Sequence, residues 1–260
     1  MEGESGTGPT ESDRLRRMTF GPLPEWGIKH GTELLDLISL PENGFPCTFA
    51  VRGALTEGLR FGFIDELYDP GAGEELRVVL RRYLGIYRTI SRETSLIVFF
   101  RTREPDDTLS GYYRTFWDIL QDLHDRDPVP WPENIPPETD DPMWEYVFEG
   151  TPMFVVCSNP AHVRRRSRYS PIFYITFQPQ WVFENIKPDT RAGQLARKRI
   201  RKRLVAFDDG LEPSSVLGDY GDPDNREWRQ YFLPDDNESG TPTGGCPFLH
   251  RMRRQPRSSD

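Results

Sequence analysis

Pro152–Glu184 reads PMFVVCSNPAHVRRRSRYSPIFYITFQPQWVFE. Two apolar, β-prone runs, FVVC and FYITF, flank a histidine that is followed by four arginines, and short apolar runs of this composition read as buried strands. The loop between them is therefore expected on a rigid frame, with His162, Arg164, Arg165, Arg166 and Arg168 at the rim of a core. Working outward, SLIVFF at Ser95–Phe100 reads as a third, fully buried strand. Leu76, Val79, Leu80, Tyr83, Leu84 and Tyr87 recur at helical spacing and predict a helix over 74–90. Ser110 reads as the N-cap of a helix reaching His124, with Tyr113, Phe116, Trp117, Leu120 and Leu123 as its apolar stripe. LLDLISL at Leu34–Leu40 predicts a short helix. FPCTFAVRGA and LRFGFIDEL, joined by Thr56-Glu57-Gly58, predict a β-hairpin. Strands interspersed with helices give an α/β (α+β) fold: a mixed β-sheet with a hairpin, covered by helices.

Prolines number 24 in 260 residues, against about one in twenty in ordinary proteins, and they gather in stretches such as DRDPVPWPENIPPETDDP. Long rigid loops wrapped over a core are the expected result. Residues 1–17, polar and Gly/Ser/Glu-rich, read as a disordered tail, residues 18–234 as a single ligand-binding domain, and 235–260 as an irregular segment carrying the element GGCPF. RAGQLARKRIRKRLVAF reads as a docked helix, with Ala192, Leu195, Ala196, Ile200, Leu204 and Phe207 inward and seven basic residues outward. A formal net charge of -8 argues against bulk nucleic-acid binding. The absence of an apolar leader or a long apolar run predicts a soluble, cytoplasmic protein with no membrane contact.

Cys47, Cys157 and Cys246 are widely spaced and odd in number, which speaks against a disulfide framework or structural zinc site. No GxSxG, Walker loop or GxGxxG is present, so an enzyme built on this sequence needs a cofactor. A histidine beside four guanidinium groups suits an anionic ligand that also takes an imidazole, and haem, with two propionates and an open iron position, is the candidate. His162 is the first candidate ligand, although a histidine after a strand also serves as a structural hydrogen-bonding residue. His124 competes, because it shares the apolar face of its helix; a helix-end histidine favoured by the macrodipole reads equally well. His30 and His250 carry little signal. Cys246-Pro247 offers a thiolate, whereas Cys47 and Cys157 read as small buried hydrophobes. Asp65, Glu66, Glu145 and Glu184 lie near aromatics and are candidates to pair with a cationic substrate.

The ordered set FPCTFA, TSLIVFF, FWDILQDLHDRD, MFVVCSNPAHVRRRSRYSP, ITFQPQWVFE, ARKRIRKRL, GDPDNREWRQYFLPDDN and GGCPF, from about Pro41 to Phe248, resembles the YqcI/YcgG family. Several members of that family are haem-dependent enzymes that hydroxylate a guanidine nitrogen of L-arginine or an arginine-derived amino acid in natural-product pathways; others have no assigned activity. The resemblance implies haem b as cofactor, held by His162 or alternatively His124, with Arg164, Arg166 and Arg168 on its propionates or on the substrate carboxylate. It implies Glu145 or Glu184 on the substrate guanidinium, dioxygen or peroxide as oxidant, an external electron donor and a possible homodimer. Two other readings stand beside it: a haem sensor or carrier without turnover, and a cofactor-free interaction protein using the basic helix.

Overall fold

The structure, a computed structural model, describes residues 10–102, 107–184, 190–219, 222–239 and 245–250. Its centre is a five-stranded mixed sheet of β1 (Leu59–Ile64), β2 (Ser95–Phe100), β3 (Tyr146–Phe148), β4 (Thr151–Ser158) and β5 (Tyr174–Pro179), in the order β1-β2-β5-β4-β3. β1 and β2 run parallel because a helical crossover separates them, and every other pair is antiparallel. SLIVFF is buried at all six positions, as a strand covered on both faces must be.

One face packs on α4 (Ala72–Leu84) and α6 (Leu109–Asp125). Leu76, Leu80, Phe116 and Leu120 meet Leu96, Val98, Val155 and Ile175 there, and each fully buried side chain of this size contributes about 2 kcal/mol. Gly62 in β1 permits the close approach of α4, since a β-carbon there would lie 2.7 Å from Val79 Cγ1. The cap of α6 is Thr108 rather than Ser110; its side chain accepts the Gly111 N–H at 3.0 Å. The helix expected over 74–90 breaks at Gly85 into α4 and the short α5 (Tyr87–Ile90).

The other face, with Leu59, Phe61, Phe63, Ile97, Phe99 and Tyr174, is covered in part by α1 (Glu11–Arg17), α2 (Glu25–Ser39) and α3 (Thr48–Leu55). Two expectations are corrected here. FPCTFAVRGA is no strand: Thr48–Leu55 is helical, capped by Cys47, so the expected hairpin does not form. The hairpin is instead β3–β4, whose two turn residues Glu149 and Gly150 have φ of 48° and 69°, the left-handed pair that a two-residue hairpin requires. Residues 10–17, read as tail, form a helix with a Thr10–Asp13 capping box; residues 1–9 lie outside the described residues. LLDLISL is the second half of the longer α2.

α7 (Arg191–Phe207) crosses the same face as α3, and α8 (Trp228–Tyr231) packs along β4. Residues 245–250 lie against the α6 side, with Phe248 buried beside Trp144 and Tyr146.

Candidate functional site

Between α7, α3 and the sheet lies a cavity of about 530 Å³, within the range of small-molecule sites. Its floor is set by strand register. Ser158 and Tyr174 are paired neighbours at one end, Val156 and Thr176 follow, and Phe154 and Gln178 are paired at the other. The two ends are four residues apart, about 13 Å at strand rise. Gly193, Ala196, Ile200 and Leu204 of α7 form the roof. Ala196, Ile200 and Leu204 belong to the expected inward stripe, but Ala192 and Leu195 face solvent and Gly193, outside that stripe, turns inward instead. Three of the basic residues expected to be solvated brace this roof. Arg197 pairs with Asp219 at 3.0 Å, Arg201 donates to the Leu217 carbonyl at 2.8 Å, and Arg203 donates to the Phe45 carbonyl at 2.6 Å.

The arginine cluster splits in two. Arg164 and Arg166 are exposed and pair with Asp236 at 3.4 Å and Asp209 at 2.9 Å; screened by water, such pairs hold little energy. Arg165 and Arg168 turn inward and line the cavity. Arg165 is buried, donating Nε to the Pro234 carbonyl at 2.7 Å and Nη2 to Asn237 Oδ1 at 2.8 Å. Arg168 is different. Its guanidinium meets no hydrogen-bond acceptor among the described residues, and its enclosed Nε is orphaned. Burial lowers its pKa, which is the cost of keeping an unmatched cation out of water.

Cys47 lines the cavity at the N-terminus of α3, where its Sγ accepts the Ala50 N–H at 3.5 Å. Burial pushes the thiol pKa up, while the Ala50 and Phe49 amides, Arg168 and Arg203 pull it back. Such a thiol stays protonated in isolation and ionises against a bound cation. In the sequence Cys47 read as a small buried hydrophobe; it is half-buried and lines the cavity.

The expected histidines lie elsewhere. His162 is fully buried beside Phe232, with Nε2 2.9 Å from the Leu233 carbonyl oxygen and Nδ1 unpartnered among the described residues. It does not line the cavity. Because Nε2 must carry the proton that bonds Leu233, only the enclosed Nδ1 is left for a metal. Desolvation pulls its pKa down to about 4 from 6.5. A depressed pKa means the unfolded chain takes up a proton that the folded ring refuses. The contribution is full above pH 6.5 and is lost as pH falls toward 4, about 3 kcal/mol in all. His162→Gln keeps an N–H for Leu233 without titrating, so its unfolding free energy should fall less than wild type's between pH 7 and 4.5. Parallel slopes in urea melts would show that the ring does not control acid stability.

His124 sits on α6, on the opposite side of the sheet, among Trp131, Phe248 and His250, with ring centroids 4.9 Å from Phe248 and 5.2 Å from His250. It does not line the cavity either. Cys246 lies on that side, partly buried, its thiol pushed up to about 12 by burial.

Of the expected carboxylates, Glu184 stands at the cavity rim, more than half exposed and paired with Arg92 at 3.2 Å. Glu145 is buried and accepts Gln180 Nε2 at 3.0 Å. Glu227, not among the candidates read from the sequence, lines the cavity with Gln230 and Phe154 and is 3 % exposed. The site therefore carries a thiol, an unmatched guanidinium and a buried carboxyl group on largely apolar walls.

Among the described residues, no helix is long and apolar enough to cross a membrane, and no group of three or more His, Cys, Asp or Glu is arranged to hold a metal ion. The family model named YqcI/YcgG matches residues 35–249. The YqcI protein of Bacillus subtilis (strain 168) is 41% identical over 231 residues, which covers 87% of this chain and 89% of the relative. YcgG of the same organism is 38% identical over 234 residues, 88% of this chain and 90% of the relative. A Streptomyces lavendulae protein named "Putative N(omega)-hydroxy-L-arginine synthase DcsA" is 32% identical over 222 residues, 82% of this chain and 80% of the relative. No solved structure matches. A thiol at the head of α3, inward-turned arginines after β4 and an acid before α8 all lie inside the matched span, and the chain belongs to the YqcI/YcgG family.

Proposed function

We propose that this protein is a haem-dependent monooxygenase that hydroxylates a guanidine nitrogen of L-arginine or an arginine-derived amino acid, with the cavity between α7 and the sheet as its site. The observation that carries the proposal is Arg168: a half-buried cation whose enclosed Nε has no acceptor among the described residues, lining an apolar cavity, is a receptor for a carboxylate. The similarity to a protein named for arginine N-hydroxylation supplies the reaction class.

The residues present fit haem b. The apolar floor and roof suit a flat macrocycle, Arg165 suits a propionate while Arg168 is left for the substrate carboxylate, and among the described residues that line the cavity Cys47 has the soft donor for iron. This replaces His162 and His124 as the proposed ligand, because neither reaches the cavity. Bound haem would supply the activation of dioxygen or peroxide that side chains lack. The chain's own residues do the rest. The amides at the head of α3 hold the sulfur and temper its basicity. Arg168 neutralises a carboxylate, while Ile200, Leu204 and Phe154 exclude water from the reacting nitrogen. The balance is one dioxygen, two electrons from an external donor and two protons per guanidine, giving the hydroxyguanidine and one water. With hydrogen peroxide no donor is needed.

The test is an absorption spectrum of protein produced with a haem precursor, followed by incubation with L-arginine, a reductant and air. A Soret band and a product heavier than arginine by one oxygen atom are expected. A haem-loaded protein that converts neither arginine nor its derivatives would make it a carrier or sensor, and one that takes up no haem would remove the reading altogether.

A further inference from the structure

Glu227 is buried to 3 % exposure at the end of the cavity away from Arg168, next to Phe154 and Gln230. Its Oε1 lies 2.8 Å from the Tyr231 hydroxyl, which in turn lies 3.0 Å from the Met153 carbonyl oxygen and accepts the Tyr146 N–H at 3.2 Å. The Tyr231 hydroxyl has one proton and two acceptors. Both are satisfied only when Glu227 carries a proton of its own and donates to Tyr231, leaving Tyr231 to donate to Met153. A second buried carboxylate, Glu145, acts on Glu227 from the chain entering β3 and is held by Gln180. No arginine or lysine pairs with Glu227 among the described residues, although the chain has 33 of them. A buried acid kept from these internal cations, beside a second acid, in the wall of a ligand-sized cavity, is a poor structural device and a good receptor for an external cation.

We propose that Glu227, supported by the Glu145–Gln180 pair, is the seat of the substrate's guanidinium group, an inference that rests on the site described under the proposed function. The ligand class is a guanidino or amidino cation with a carboxylate at its far end. Arg168 takes the anionic end of the cavity and Glu227 the cationic end. Binding exchanges a proton for the guanidinium: the Glu227 proton leaves to solvent as the planar cation arrives, and two N–H groups of the ligand replace it on the carboxylate. A neutral ureido group cannot drive that exchange, so the site discriminates arginine from citrulline by charge rather than shape.

Burial and the Glu145 charge raise the Glu227 pKa well above its usual value. The titratable groups acting on it are Glu145 and Tyr231. An acid whose pKa is raised by folding is favourable below its unfolded value and loses that contribution as pH rises. Glu227→Gln, which keeps an acceptor and adds a donor for this network, should therefore melt higher than wild type at pH 8 and alike near pH 4. A structural acid would behave in the opposite way.

The experiment is calorimetric titration of the haem-loaded protein with L-arginine and with L-citrulline, in two buffers of different ionisation enthalpy. Wild type is expected to prefer arginine and to release a proton on binding. Glu227→Gln should lose about 100-fold in arginine affinity, release no proton and bind citrulline as well as or better than wild type. Glu145→Gln is the companion variant. It should still bind arginine but release less of a proton, because the neighbour that keeps Glu227 protonated is gone; a loss as large as that of Glu227→Gln would move the seat to Glu145 and overturn the proposal. Equal arginine binding by wild type and Glu227→Gln would overturn the seat and leave the proposed reaction standing. A haem-loaded wild type that binds no guanidino compound would overturn both.

Discussion

Cys47→Ser is expected to fold as well as wild type and to lose haem, with the Soret absorbance per protein falling by on the order of 10-fold or more. The two halves of that expectation come from the same atom. Sγ caps α3 by accepting the Ala50 N–H at 3.5 Å, a long, weak bond. A serine hydroxyl is a better cap than a thiol, so the helix should hold or gain about 1 kcal/mol. Ligation runs the other way, because an alcohol does not ionise against iron as a thiol does, and a hard oxygen donor is a poor match for the metal. Cys47→Ala should lose both the cap and the haem. The comparison is decided by running His162→Ala and His124→Ala alongside. If either of those loses the Soret band while Cys47→Ser keeps it, the haem is held by that histidine, on a surface other than the α7 cavity. A stable, colourless Cys47→Ser beside coloured histidine variants is the result expected of the proposed Cys47 ligand.

The sheet was legible in the sequence wherever a strand is a short, dense apolar run. SLIVFF, FVVC and FYITF are short apolar runs bounded by polar residues, and each is a strand. The stripes of α4 and α6 were equally plain, since helical spacing over thirteen or more residues leaves little ambiguity, whereas the stripe expected on α7 was wrong at Ala192 and Leu195, which face solvent. FPCTFAVRGA defeats the same rule. Its phenylalanines and valine suit a strand, but α2 and β1 offer it a groove that an eight-residue helix fills, and tertiary packing overrides propensity in a segment this short. The site divides in the same way. The loop after β4 could be located because its flanking strands are strong signals, but which arginines turn inward depends on a clamp contributed some seventy residues later. An aperiodic loop carries no pattern that separates Arg165 and Arg168 from Arg164 and Arg166. Glu227 was hidden by the low periodicity of the segment around it, although Trp228, Tyr231 and Phe232 so close behind an acid are a sign that the acid is dragged into the core.

Asp235→Ala should lower stability by about 2 kcal/mol. One oxygen, Oδ1, accepts three consecutive backbone N–H groups, from Val163 at 2.8 Å, Arg164 at 2.9 Å and Arg165 at 3.0 Å. Successive amides converging on one anion form a nest, and a charge-assisted bond of this kind is worth about twice a neutral one. Removing the carboxylate hands the exposed Val163 and Arg164 amides to water and leaves the part-buried Arg165 amide without its acceptor. His162 Nε2 to Leu233 and Arg165 Nε to Pro234 bind the same two segments, so they lose their register with the clamp. The melting temperature should drop by about 5 °C for a chain of this size. Asp235→Asn, which keeps an oxygen but not the charge, should fall between the two. The consequence reaches the site, because Arg165 is held by the third clamped amide and Arg168 lies three residues beyond it, and both guanidinium groups line the cavity. Haem and arginine should therefore bind more weakly even at temperatures where the variant is fully folded. If Asp235→Ala melts within a degree or two of wild type, the His162 and Arg165 contacts alone hold the loop. If it melts low yet binds ligand normally once folded, the clamp serves the fold and not the aim of the arginines. A fall in both is the signature of a single carboxylate that sets the backbone from which both cations project.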